Sequence, residues 1–313
     1  MTKRCLMGLV ALGGVLMIMA PSCKEAASET DPSAEVEIPQ STLFGSPVAE
    51  GEIEADAVDE ASGLASSRSN SLYLWTHNDS GGDPAFYLFT RAGADSGRYV
   101  LEGAENTDWE DMAIGPGPVD GTNYLFAADI GDNAAQRDNY TIYRVPEPDL
   151  NIDDLPEDSI LTGVEAIEYV YADGFSRDAE AIMVDPATRD IYIISKREAQ
   201  VGVYLLAYPQ STTEVNTADF QGLIPFTNVV AADISPSGGE ILIKDYLNVY
   251  HWFRDEGSLY ETLRTTPNRL AYEAEPQGEA IAWSIDGAAY FTLSEEDTFD
   301  PAVLYSYGRT SSR

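Results

Sequence analysis

Basic residues are scarce in this chain. Lysine and arginine together number 18 against 53 aspartates and glutamates in 313 residues, and only four of the 18 are lysines. The formal charge of −35 disfavours nucleic acid as a partner, because phosphates are repelled by such a surface. Cysteine is almost missing: Cys5 and Cys23 are the only two, so no disulfide is expected inside the folded domain. With just His77 and His251 to add to them, a zinc or copper centre is disfavoured as well. No Gly-x-Ser-x-Gly, no glycine-rich phosphate loop and no Ser-His-Asp order stands out. Helical periodicity is sparse beyond the N-terminus, and no second apolar run there approaches membrane-spanning length.

The one long apolar run is Leu6–Ala20, 15 residues behind Lys3 and Arg4. That is the length of a signal-peptide core and short for a membrane span. It ends in Ala20-Pro21-Ser22-Cys23, similar to a bacterial lipoprotein processing site although Pro21 departs from the pattern. Residues 1–22 are therefore expected to be a leader and Cys23 a lipidation site, with ordinary secretion and a free Cys23 as the alternative. This implies a cell-envelope protein, periplasmic or extracellular, touching the membrane only through its lipid. Residues 23–45, rich in Glu, Ala, Ser and Pro, read as a flexible tether. Residues 46–313 are then one domain, expected to be a monomer, with ample length for a large core.

What the domain does contain is a repeat. Trp109-Glu110-Asp111-Met112-Ala113-Ile114, Ala179-Glu180-Ala181-Ile182-Met183-Val184 and Gly278-Glu279-Ala280-Ile281-Ala282-Trp283 each put a carboxylate before a short apolar strand. A turn and a second strand follow each one. Weaker copies begin at Ala61-Ser62-Gly63-Leu64 and Val230-Ala231-Ala232-Asp233. The reference positions Ser62, Glu110, Glu180, Val230 and Glu279 are spaced by 48, 70, 50 and 49 residues. A period near 50 with about four strands per unit is the mark of a propeller blade. The fold class is therefore all-β, a single β-propeller of five four-stranded blades, with six as the alternative if Glu147–Tyr171 hides an irregular unit. The long step is assigned to an acidic insertion, Glu147–Ser159. The fifth blade lacks an outer strand, which the N-terminal segment Glu52–Val58 is expected to supply, and Tyr260–Arg264 is expected as the outer strand of the fourth.

In such a fold the starts of the innermost strands and the loops after the second strands meet at one channel mouth. The starts supply Ser62, Glu110, Glu180 and Glu279 as candidate metal ligands. The loops supply candidate ligand-binding groups: His77, Asn78 and Asp79; Asp129, Asp132, Asn133 and Arg137; Lys196 and Arg197; and Lys244. Asn78–Gly82 suits either a plain turn or an anion nest. Asp129, Asp132 and Asn133 suggest a second metal position without the full spacing of a calcium hand. The four basic residues either hold a phosphate or carboxylate or balance local charge. Three glutamates facing one channel need a bound cation, raised pKa values or solvation, unless they cap strand starts by bonding backbone amides; with oxygen ligands only, calcium is the expected cation.

The order Ser62, Glu110, Glu180, Val230, Glu279 resembles the channel ring of the calcium-activated nucleotidases, five-bladed propellers with serine and glutamate ligands around one calcium. The likeness covers the blade skeleton from Ser62 to Tyr307 and departs at Val230, where a serine is expected. The chain also resembles uncharacterised secreted bacterial propellers with His-Asn-Asp-Ser-Gly and Ile-Gly-Asp-Asn loops. Two functions follow as expectations. One is a ligand- or protein-binding module whose calcium is structural; the other is a calcium-dependent phosphoanhydride or phosphoester hydrolase. A lactone hydrolase ranks last, because the Asn and Asp ring of that group is not matched here.

Overall fold

The computed structural model describes residues 37–255, 257–296 and 301–310. The expected leader and Cys23 lie outside the described residues. After a first strand, β1 (Val48–Glu52), four antiparallel strands form the first blade: β2 (Ala61–Ser66), β3 (Tyr73–Asn78), β4 (Ala85–Thr90) and β5 (Asp95–Leu101). The second blade takes β6 (Trp109–Pro116), β7 (Asn123–Asp129) and β8 (Tyr140–Pro146), then, past a detour through β9 (Asp158–Leu161), β10 (Glu165–Tyr171). The third takes β11 (Ala179–Val184), β12 (Ile191–Ser195), β13 (Val201–Leu206) and β14 (Asn216–Ile224). The fourth takes β15 (Val229–Ile234), β16 (Glu240–Asp245) and β17 (Val249–Phe253), a short helix α1 (Leu259–Leu263), and β18 (Asn268–Arg269). The fifth takes β19 (Gly278–Trp283), β20 (Ala289–Ser294) and β21 (Val303–Gly308), completed by β1. The innermost strands β2, β6, β11, β15 and β19 each touch the next, and β19 touches β2, closing a ring around one channel.

Composition explains the radial layering. Blades converge on the axis, so inner strands are built from small residues and are buried on both faces, as in Ala61-Ser62-Gly63-Leu64-Ala65-Ser66. Further out the wedge between blades widens, and aromatics such as Trp75, Phe86 and Tyr99 fill it. Outermost strands face solvent and alternate, as β5 does.

Two expected strands are corrected. The strand that closes the ring is β1, a few residues before Glu52–Val58; it pairs antiparallel with β21 from Val48 opposite Ser306 to Glu52 opposite Val303. Tyr260–Arg264 is not a strand. Ser258 and Glu261 form a capping box, with the Glu261 carboxylate accepting the Ser258 N–H at 2.9 Å, and buried Leu259 and Leu263 lie one helical turn apart on α1. The outer strand of that blade is the two-residue β18. The acidic insertion is anchored on the first blade: β9 pairs parallel with β5, and the Glu147 carboxylate accepts from the Ser67 hydroxyl at 2.7 Å and the Trp75 indole at 3.1 Å.

The tether expected to reach Gly45 is docked over its last part. Arg269 donates to the Pro39 carbonyl and accepts from Ser41 N–H, Gly308 accepts from Gly45 N–H, and Phe44 is buried against Trp283 and Tyr290. The expected domain start at residue 46 thus falls inside a packed segment.

Candidate functional site

The five reference positions share one backbone device. In each inner strand the pairing with the second strand slips by one residue, at Ser62, Glu110, Glu180, Val230 and Glu279. A bulge leaves that residue out of the ladder and re-aims its side chain. In four blades the residue two before the bulge accepts a backbone N–H from the loop after the second strand: Glu60 from Asp79, Asp108 from Ile130, Asp178 from Lys196 and Gln277 from Glu295. Strand starts and second-strand loops therefore do meet at one mouth.

Most of the predicted groups are already committed to protein partners. Ser62 Oγ donates to the Glu110 carbonyl. Glu180 pairs with Lys196, whose ammonium is also 4.0 Å from Glu279 and 5.3 Å from the Tyr246 ring centre. Glu279 accepts the Tyr246 hydroxyl at 2.6 Å. Asp129 accepts the N–H groups of Thr107 and Asp108, each at 3.2 Å, and pairs with Arg137 at 2.6 Å. Asp132 caps its own loop, accepting from Gln136 and Arg137 N–H at 2.9 and 2.8 Å and from the Tyr140 hydroxyl at 3.0 Å. Arg197 is held by Asp178 and Asn133. Asn78 donates to the Ala57 carbonyl at 2.7 Å and to Asp59 at 3.0 Å.

Two predicted groups turn inward. His77 is fully buried, edge-on to Trp109, with Nδ1 2.9 Å from the Asn78 carbonyl; burial pulls its pKa down to about 4, so it is a neutral core imidazole at pH 7. Lys244 is fully buried too, donating to the Gly278 carbonyl; burial draws its pKa down to about 8 against the opposing charges of Glu275 and Glu279.

Glu110 differs from all of these. It is 4 % exposed, and among the described residues its carboxylate has no hydrogen-bond or ion-pair partner. Burial first, then the charges of Glu180 and Asp79, hold its carboxyl well above the ordinary range. Its oxygens belong to two acidic groups. With Asp79 and Asp108, and again with Asp178 and Glu180, one ligand oxygen per residue lies within 4.8 Å of the others. Asp108 and Asp178 were missed by sequence reasoning. The signal was present: Asp108-Trp109-Glu110 and Asp178-Ala179-Glu180 repeat one spacing, and the position two before the bulge is acid or amide in all five units (Glu60, Asp108, Asp178, Asn228, Gln277).

Also missed was the channel filling. Innermost strands have no inner neighbour, so their edge N–H groups need partners inside the channel. Asp111, fully buried, supplies them from its two oxygens: Oδ1 accepts Met112 N–H at 2.8 Å, and Oδ2 accepts Ile182 N–H at 2.9 Å and Ala232 N–H at 3.4 Å. Asp233 accepts Trp283 N–H at 2.7 Å. Together the two carboxylates tie β6, β11, β15 and β19 across the axis.

No family model matches the chain, and no curated protein matches it. Among the solved structures similar to it is the Pan2 WD40 domain of Neurospora crassa, at 8 % identity and a TM-score of 0.45, over 88 % of this chain and 99 % of that one. The strand order itself, radial antiparallel sheets whose inner strands close around one channel, makes this chain a β-propeller.

Proposed function

We propose that this protein is a binding module whose propeller mouth takes a divalent cation, calcium by its chemistry, and presents it to a small-molecule or protein ligand. The supporting observation is the group Asp79, Asp108 and Glu110 at the mouth, where Glu110 is buried beside other carboxylates and has no hydrogen-bond or ion-pair partner among the described residues. Buried like charges are strongly unfavourable unless neutralised by a counter-charge or a proton. Irregularly placed carboxylate oxygens suit calcium better than magnesium, which demands near-octahedral geometry. The hydrolase reading has less support, because Arg137, Lys196 and Arg197 are engaged by Asp129, Glu180 and Asp178, and Lys244 is buried.

Thermal unfolding of the full chain after chelation tests the reading. Calcium at a hundredfold excess over its Kd stabilises by about 2.7 kcal/mol, a rise in Tm of roughly 5 °C or more for a domain this size. An unchanged Tm with calcium, magnesium and manganese alike would sink the cation site.

The envelope location belongs to the same proposal and rests on the run Leu6–Ala20 before Cys23. Incorporation of labelled palmitate in a bacterial host should disappear in Cys23→Ser; equal incorporation would exclude lipidation at that residue.

A further inference from the structure

We infer that the cation binds off the channel axis, on Asp79, Asp108 and Glu110 between the first two blades, and that the axial position is filled by the protein's own Lys196. This inference rests on the cation-dependent reading above and assigns the ligands that reading leaves open.

The five bulge positions are the natural axial ring, and they are spent. Val230 offers no side-chain oxygen. The Ser62 hydroxyl is turned to the Glu110 carbonyl, Glu180 holds the Lys196 ammonium, and Glu279 lies 4.0 Å from the same ammonium while accepting from Tyr246. Lys196 reaches these groups because its backbone N–H is pinned to the Asp178 carbonyl at 3.0 Å, which starts its side chain at the mouth. A fixed ammonium between two ring glutamates supplies the charge an axial metal would otherwise bring, and it repels a metal from that place.

Glu110 is left with two sets of neighbours. Towards Asp178 and Glu180, counter-charges are present already in Arg197 and Lys196. Towards Asp79 and Asp108, none of the three carboxylates has an ion pair among the described residues; the Asp79 carboxylate accepts only the adjacent Ser80 N–H, at 2.5 Å. Their mutual spacing of at most 4.8 Å is what one ion can span, since two oxygens each about 2.4 Å from a calcium lie no more than about 4.8 Å apart. The main chain closes over this group at Gly131. A Cβ there would come 2.0 Å from Glu110 Oε1 and 2.5 Å from Asp108 Oδ2, so only glycine lets the loop lie against both carboxylates.

Calcium titration calorimetry on the full chain and four isosteric variants tests the assignment. Wild type should bind one equivalent. Asp79→Asn and Asp108→Asn should each weaken binding at least about tenfold, the loss of one charge-assisted contact, while Glu180→Gln and Glu279→Gln stay within about threefold of wild type on the same measure. Asp79 is half-buried at the mouth, so its variant should fold even if Asp108→Asn does not. A Lys196→Met chain should gain a second equivalent as the axial place opens. Loss of binding in Glu180→Gln or Glu279→Gln as large as in Asp79→Asn would overturn the off-axis site and leave the cation reading standing. No calcium heat with the wild-type chain would remove both.

Discussion

Asp111→Ala should destabilise the domain by about 4–6 kcal/mol, or prevent folding. The wild-type carboxylate accepts three backbone N–H groups from three different inner strands in a place without solvent exposure. Each buried amide left without an acceptor costs about 1–3 kcal/mol, and the methyl of alanine accepts nothing. An opposing effect exists: burial, and less so the nearby Asp233, raise the Asp111 carboxyl well above its ordinary range, so removing it also removes a charge from a poor environment. Three donors from three strands outweigh that, because the alternative is three orphans rather than one. Asp111→Asn separates the two effects. It keeps one oxygen but sets an NH2 against a donor, so its loss should fall between wild type and alanine. Chemical denaturation checks both. A loss under about 1 kcal/mol for alanine would mean that water enters the channel and bonds the strand edges instead.

Stability should rise as pH falls from 8 to 5.5, by about 10 °C in Tm in the presence of a chelator. Burial raises Asp233 to about 6 and Glu275 to about 7, and burial together with the Glu279 charge raises Glu295 to about 7. A carboxyl whose folded pKa lies above its unfolded value near 4 binds its proton more tightly when folded. Its contribution is complete below pH 4 and is lost as pH climbs through 6 to 7. His77 acts the other way. Its folded value of about 4 means stability present above 6.5 and lost as pH falls towards 4, which sets the lower end of the favourable window. One histidine against several carboxylates leaves the net slope positive towards acid down to about pH 5.5. Relief of repulsion within a chain of charge −35 adds in the same direction. Each kcal/mol is worth about 2–4 °C here, so a handful of groups suffices for the stated rise. Asp233→Asn should flatten part of the slope. A Tm that falls between pH 8 and 5.5 would show that these carboxylates are hydrated, not buried.

The repeat in the sequence located the start of each inner strand to the residue. All five reference positions are bulges, including Val230, whose side chain carries no chemistry. That was legible because a blade start is a local pattern of small and apolar residues with a fixed period. What the ring glutamates touch was not legible. Lys196 reaches Glu180 across a hairpin and Tyr246 reaches Glu279 from another blade, pairings set by tertiary packing. His77 was read as a loop residue because Asn78-Asp79-Ser80-Gly81-Gly82 follows it. The strand in fact runs on through Asn78, and only the approach of Trp109 decides that the imidazole faces the core. Ser258 and Glu261 show the opposite case, a helix start that was visible in the sequence and was passed over because the surroundings were all strand.

The lacing of the blades has a mechanical consequence. Strand β9 leaves the second blade to pair with the first, and β10 pairs with β14, so one stretch of chain hydrogen-bonds to the first blade and then joins the second to the third. The docked N-terminal segment stitches the fourth blade to the fifth through Arg269 and Gly308, and Glu54 donates to the Gly93 carbonyl where the fifth meets the first. At the junction of the third and fourth blades the described bonds include the Asn228 N–H on the Lys196 carbonyl at 2.8 Å, the Arg254–Asp185 ion pair at 2.7 Å and the Tyr260 hydroxyl on the Leu223 carbonyl. Lys196 and Tyr246 face each other across this same joint, so the ammonium that sits between Glu180 and Glu279 also ties the third blade to the fourth.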